Sequence, residues 1–298
     1  MAVLKRGDTT GRLQLDSSRK FAASFALAWN FWLARFGTFL RMLWLPCLVA
    51  GAVCAAWWAM RSSLFSYGVN VLEMVVDVLG GALLLFVWSM MRTMQSDLLQ
   101  RAVEDGGDSS AYQTLKLSNI PKIVRLTWRP YLPLLVVWVV AYLLVYLPLH
   151  IYRTPVYIVG AAAVIALLVL PPVGGLVQSY MEAKPERPLL RGVKEGLALN
   201  RRYLGSMLAL WVIALLMLAV VMVMLLFGNW IIDSAYANRR QATLQEEVIV
   251  LPAYLPLLRY SILVLGVWIV SFLHTVWSLP QQVHIRSIIY KLSKHNLS

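Results

Sequence analysis

Two carboxylates inside an apolar stretch, Glu73 and Asp77, are the residues of this chain best placed for chemistry. Four residues apart, they share one helical face. Without Asp77 the charge-free run would be only 78–91, about 21 Å of helix against a hydrocarbon core of about 30 Å. Asp77 must then lie within the outer part of a membrane, with Glu73 one turn above it. A buried carboxylate there costs about 2.5–3.5 kcal/mol, so a partner or water is expected. Arg61, at the end of the preceding apolar run, is the partner the spacing names. An Arg61–Asp77 pair would fix a helical hairpin; open to a cavity, the same acids would serve ion or proton coupling; the third reading is simple snorkelling to the outer interface.

The remaining chemistry-bearing residues are sparse. Of four histidines, His274 alone falls inside an apolar run, as a helix–helix hydrogen-bonding group or a proton relay, and His150, His284 and His295 do not cluster with it. A metal centre would need several ligands converging on one ion, so no metal or cofactor is expected. Cys47 and Cys54 share a helical face, but seven residues of helix hold them about 10 Å apart, beyond disulfide reach. No Gly-x-Ser-x-Gly elbow, phosphate loop or phosphotransfer signature is present. An enzyme would have to draw on polar groups at the inner ends of the apolar runs, namely Arg92, Gln95, Gln178, Gln281 and His284. The expectation is no catalytic residue and no reaction of the chain's own.

The elements that must position these residues are membrane spans. The 298 residues are 60% hydrophobic and 14% charged, with a mean hydropathy of +0.68. Six apolar runs of spanning length follow: 42–60, 69–91, 132–149, 156–181, 204–232 and 260–282. Of the 27 Lys and Arg, only Arg61, Arg153, Arg239, Arg240 and Arg259 fall on the side opposite the termini. By the positive-inside rule both termini are cytoplasmic. The net charge of +13 then reflects topology and anionic headgroups, with the lipid bilayer as partner and no nucleic acid. The first 20 residues are too polar for a signal-peptide core, so the first run stays as a signal anchor.

The runs pair into three hairpins, each entered by an aromatic amphipathic stretch and an arginine: Trp32–Arg35–Phe36, Trp128–Arg129–Tyr131 and Arg202–Tyr203. Phe21, Phe25, Trp29, Trp32 and Phe36 recur at helical steps and predict an interfacial stripe, on lipid or on the bundle, for anchoring or partner docking, with Arg35, Arg129 and Arg202 at headgroup depth. Leu190, Val193, Leu197 and Leu204 repeat the stripe before the fifth run. The even-numbered runs all end in a polar turn, with prolines 171, 172 and 280 expected to kink them. The stretch 233–258 reads as a long outer loop and an exposed contact surface.

The predicted fold is all-α: a single integral membrane domain, 1–298, of six transmembrane helices in three hairpin repeats (21–102, 112–183 and 189–292) with cytoplasmic interfacial helices. The Trp-rich segment, then Arg35–Phe36–Gly37, repeated before later hairpins, resembles bacterial six-helix membrane proteins related to the membrane domain of some glycerophosphodiester phosphodiesterases. The resemblance implies a multi-pass inner-membrane protein; the catalytic barrel of those fusions is absent, so their hydrolytic activity does not carry over. Mitochondrial carriers share the length and three-hairpin plan, but their repeated Pro-x-acid-x-x-base motif is missing. The expected function is a scaffold, assembly or regulatory subunit with a membrane-protein partner or a second copy. The alternative is a small permease using Arg61, Glu73, Asp77 and His274.

Overall fold

The structure, a computed structural model, describes residues 21–64, 71–104, 120–150, 173–244 and 254–295. Every element among them is helical: α1 (Phe21–Ala34), α2 (Phe36–Leu64), α3 (Val71–Glu104), α4 (Ile120–His150), α5 (173–183), α6 (Leu189–Leu244) and α7 (Leu255–His295). Five are long and apolar enough to cross a membrane, over Phe36–Ser63, Val71–Val103, Ile120–Leu144, Ala219–Asn238 and Leu257–Ile289. The chain is a multi-pass helical membrane protein. The fourth expected run, 156–181, lies outside the described residues up to position 172, as do Pro171, Pro172 and Arg153.

Helices of this kind satisfy their backbone internally, which a hydrocarbon environment requires. Packing then decides their arrangement, because lipid tails are as apolar as leucine. α7 is the hub, packing against α1, α2, α3 and α6, while α3 is flanked by α2 and α4. Phe39, Met42, Leu43 and Cys47 of α2 meet Met91, Met94, Leu98 and Leu99 of α3 and Val276, Leu279 and Val283 of α7 in one core.

Small residues set the closest approaches. At Gly51 an added Cβ would lie 2.7 Å from the Val264 carbonyl oxygen, so α2 and α7 touch backbone to backbone. The pair Gly80–Gly81 receives two indoles, Trp57 from α2 and Trp138 from α4; a Cβ would fall 2.4 and 2.2 Å from them.

The structure shows how the two stripes lie, and it changes the expectation for the outer loop. The first stripe divides: Trp32 is buried along with Ser24, Ala28 and Phe31, while Trp29 is 38% and Phe36 42% exposed. The aromatic residues instead stack along the edge of α1, Phe25 on Trp29 and Trp29 on Trp32, and the row closes onto Phe272 of α7. In the leucine stripe before the fifth run Leu197 is 46% exposed, and the side chain of Leu204 lies outside the described residues. Leu190 is 84% exposed, and Gly192 and Gly196 lie against Met181 and Val177 of α5. A Cβ would lie 3.0 Å from the Val177 Cα at Gly196 and 3.3 Å from the Met181 side chain at Gly192, so α6 approaches α5 closely there. The expected outer loop 233–258 is mostly helix: α6 continues through Leu244 and α7 starts at Leu255. Its apolar segment, 248–251, lies outside the described residues.

Candidate functional site

Two polar centres sit on α3, at Asp77 and Arg92. Fifteen residues of helix separate them by about 22 Å, so they bracket most of a hydrocarbon core.

The first centre is built by three helices. Glu73 and Asp77 are both buried, one turn apart on α3. Arg61 of α2 reaches both, with Nε 3.4 Å from Asp77 Oδ1 and Nη2 3.5 Å from Glu73 Oε1. Trp57 Nε1 donates to the same Asp77 oxygen at 2.8 Å, and the Tyr142 hydroxyl of α4 donates to Oδ2 at 3.1 Å. Both carboxylate oxygens of Asp77 are therefore engaged, by donors from helices on either side. Trp57 can reach because Gly80 leaves its indole space, and Trp138, edge-on to Trp57, bonds the Val78 carbonyl at 3.3 Å. The arginine side chain keeps 45% of its surface exposed while the two acids keep 2% and 3%. Arg61 thus covers the acids from the outside.

His274 is not part of this group. Its ring stacks on Trp88 of α3 at 5.2 Å, and Trp88 Nε1 donates to Ser271 at 2.9 Å. Trp88 is one turn from Arg92, which places His274 by the second centre.

That second centre is the densest polar network among the described residues. The Arg92 guanidinium is buried and contacts two other helices at once. Nε lies 3.4 Å from Glu182 Oε1, Nη1 donates to Gln281 Oε1 at 3.0 Å, and Nη2 donates to Ser179 Oγ at 2.7 Å and to the Gly175 carbonyl at 3.3 Å. Gln282 of α7 closes the ring, its amide donating to the Arg92 carbonyl and to Glu182 Oε2, both at 2.9 Å. One turn along, Gln95 donates to the Thr275 carbonyl at 2.9 Å and accepts from Ser278 at 2.6 Å. Arg286 bonds Ser96, and His284 faces Ser24 of α1 at 3.4 Å. Gly175 permits the clasp, since a Cβ there would meet the Gln281 amide at 2.8 Å.

The polar ends of the second, fourth and sixth runs therefore meet. Arg92, Gln95, Gln281 and His284 were legible as candidates at these ends; Glu182, Ser179 and Gln282 were not. Gln178 is buried in the same region, but its amide nitrogen makes no hydrogen bond among the described residues. The signal for the missing acid was charge: a buried Arg92 demands a carboxylate, and Glu182 ends the fourth run as Arg92 ends the second.

The anchoring candidates divide. Trp32 is buried against α7, Phe25 and Trp29 lie on the stacked edge, and Arg35 sits over the Phe31 ring at 5.6 Å. Arg129 donates to the Pro185 carbonyl at 2.8 Å, tying α4 to the turn after α5. The side chain of Arg202 lies outside the described residues.

Chemically, both centres are charge pairs in which Asp77 and Arg92 are each engaged by several protein groups, while Glu73 Oε2 and Gln282 Oε1 are buried without a hydrogen bond among the described residues. The second also sets the Ser24 hydroxyl 3.4 Å from His284 Nδ1. Among the described residues no group of three or more His, Cys, Asp and Glu is disposed to hold a metal ion. No family model, curated protein or solved structure matches this chain.

Proposed function

We propose that this chain is a non-catalytic protein of a bacterial inner membrane, a scaffold, assembly or regulatory subunit of a membrane complex. In this reading it has six spans in three hairpin repeats and cytoplasmic termini. The likeness to the membrane domain of glycerophosphodiester phosphodiesterases belongs to the same proposal, without hydrolysis.

The observation that carries it is the saturation of Asp77 by Arg61, Trp57 and Tyr142. A coupling site must exchange its partner for an ion or a proton during each cycle. Here three helices are bolted together through that carboxylate, and Arg92 ties the same α3 to two more, α5 and α7, at the other end. The charges inside the bundle thus support a rigid body. What the bundle leaves outward is apolar and aromatic: Trp29 and Leu33 on α1, and Leu216, Val220, Val223 and Phe227 on α6. Those surfaces suit lipid, another membrane protein or a second copy. The permease alternative asks Arg61, Glu73, Asp77 and His274 to share one path, and His274 stacks instead at the Arg92 end.

The test is purification of the tagged full chain from native membranes in mild detergent, beside a Phe25/Trp29/Trp32→Ala variant. A stoichiometric partner or second copy that the variant loses supports the proposal. A protein that purifies alone and monodisperse, with proton-coupled flux abolished by Asp77→Asn, overturns it in favour of the permease.

A further inference from the structure

Lys122, Arg125 and Arg129 follow one another at steps of three and four, so they lie along one face at the start of α4. All three are exposed. The Arg129–Pro185 bond brings that face beside the turn 184–188, which adds Lys184 and Arg187. The turn carries one carboxylate, Glu186. The next acid along, Glu195, is engaged by Tyr180 and by Arg191 on its own helix and also feels Arg187, so it offsets that cation of the turn in part and leaves the three on α4. Pro185 takes one of the five N–H donors of Arg129, which fixes the guanidinium between the two segments while leaving donors directed elsewhere.

We propose that this face, Lys122, Arg125 and Arg129 with Lys184 and Arg187, is a binding site for the phosphate headgroups of anionic phospholipid. Its neighbours identify the occupant. Trp128 is 52% exposed and Leu126 37% exposed in the same turns as the cations. The apolar run starts at Leu132. Cations interleaved with an indole and an aliphatic side chain fit the boundary between headgroups and acyl chains, where a soluble polyanion would leave the apolar groups in water. Basic pockets between helices at that depth bind phosphate with Arg and Lys donors. The inference rests on the chain lying in a membrane, and not on the scaffold reading.

The test uses the full chain in a neutral mild detergent, titrated with phosphatidylglycerol, with phosphatidylcholine and with inorganic phosphate. Thermal unfolding and lipid retention in native mass spectrometry are the readouts. Phosphatidylglycerol is expected to stabilise and to be retained where phosphatidylcholine is not, and salt should weaken the effect. In Lys122→Gln/Arg125→Gln, whose side chains are exposed and whose folding should be intact, apparent affinity should fall about 25-fold, about fivefold per cation. Arg41→Gln, an exposed cation on α2, should leave it unchanged. Equal stabilisation by phosphatidylcholine or by phosphate alone overturns the proposal, as does an equal loss from Arg41→Gln, which would mean diffuse charge attraction and no site.

Discussion

Arg92 and Glu182 stand 90 residues apart in the chain and 3.4 Å apart in the bundle, both almost wholly buried. A pair so placed is costly to break and cheap to replace, because removing one partner leaves the other charge in a medium that cannot solvate it. Arg92→Leu alone, or Glu182→Leu alone, should cost about 3–5 kcal/mol. The double variant Arg92→Met/Glu182→Leu should recover most of that. Thermal or denaturant unfolding in mild detergent measures all three, and a double variant as damaged as the singles would show that the surrounding glutamines and serines, not the ion pair, set the cost.

The Arg61 centre gives an asymmetric expectation. Asp77→Asn keeps an acceptor for Trp57 and leaves Arg61 its contact with Glu73, so the loss should be about 1–3 kcal/mol. Arg61→Ala strips two buried carboxylates of their cation and should cost more, about 3–5 kcal/mol. Unfolding midpoints in the opposite order would mean that the acids are held chiefly by the aromatic donors.

Glycine positions offer a steric test. Gly81→Val drives a side chain into the Trp138 indole, where even a Cβ would lie 2.2 Å from the ring. The overpacking should cost about 1–3 kcal/mol and be partly relieved by Trp138→Ala. Gly37→Ala meets nothing within 4 Å and should be neutral or stabilise by up to about 1 kcal/mol, since alanine is the better helix former. Equal effects at both positions would rule out the indole contact as the cause.

A pH effect is expected at Glu195, which lies outside the spans. The hydrogen bond from Tyr180, helped by Arg191, holds its carboxyl below the ordinary value of 4.5. A depressed carboxylate contributes stability that is complete above its unfolded value and lost as pH falls through the folded one. The Tm difference between the wild-type chain and Glu195→Gln should therefore be constant from pH 7 to about 5 and shrink below 4.5. Tyr180→Phe should flatten that dependence, and a difference unchanged down to pH 3 would remove Glu195 from the account.

How much of this was legible depends on the range of the interaction. Membrane-spanning helices follow from run length, and the Arg61–Asp77 contact follows from depth, since both residues sit at the same end of consecutive runs. Trp57 and Tyr142 were not legible as donors to Asp77, because an indole or phenol near a span end reads equally well as an interfacial anchor. Gln282 and Glu182 were missed for a related reason: their bonds cross between helices 100 residues apart, and no local pattern encodes which helices meet. In α1 the aromatic stripe is conspicuous, yet only Trp32 of it is buried, beside Ser24, Ala28 and Phe31, because hydrophobicity does not choose sides inside lipid.

The position of α7 at the centre of the packing bears on how the molecule is made. A chain emerging from the ribosome delivers α1, α2 and α3 long before the helix they pack against, and the Gln281 and Gln282 side chains that complete the grip on Arg92 arrive later still. Until then the nascent chain holds an incompletely coordinated arginine within its second hydrophobic helix, so assembly of the bundle is necessarily a late event in biosynthesis.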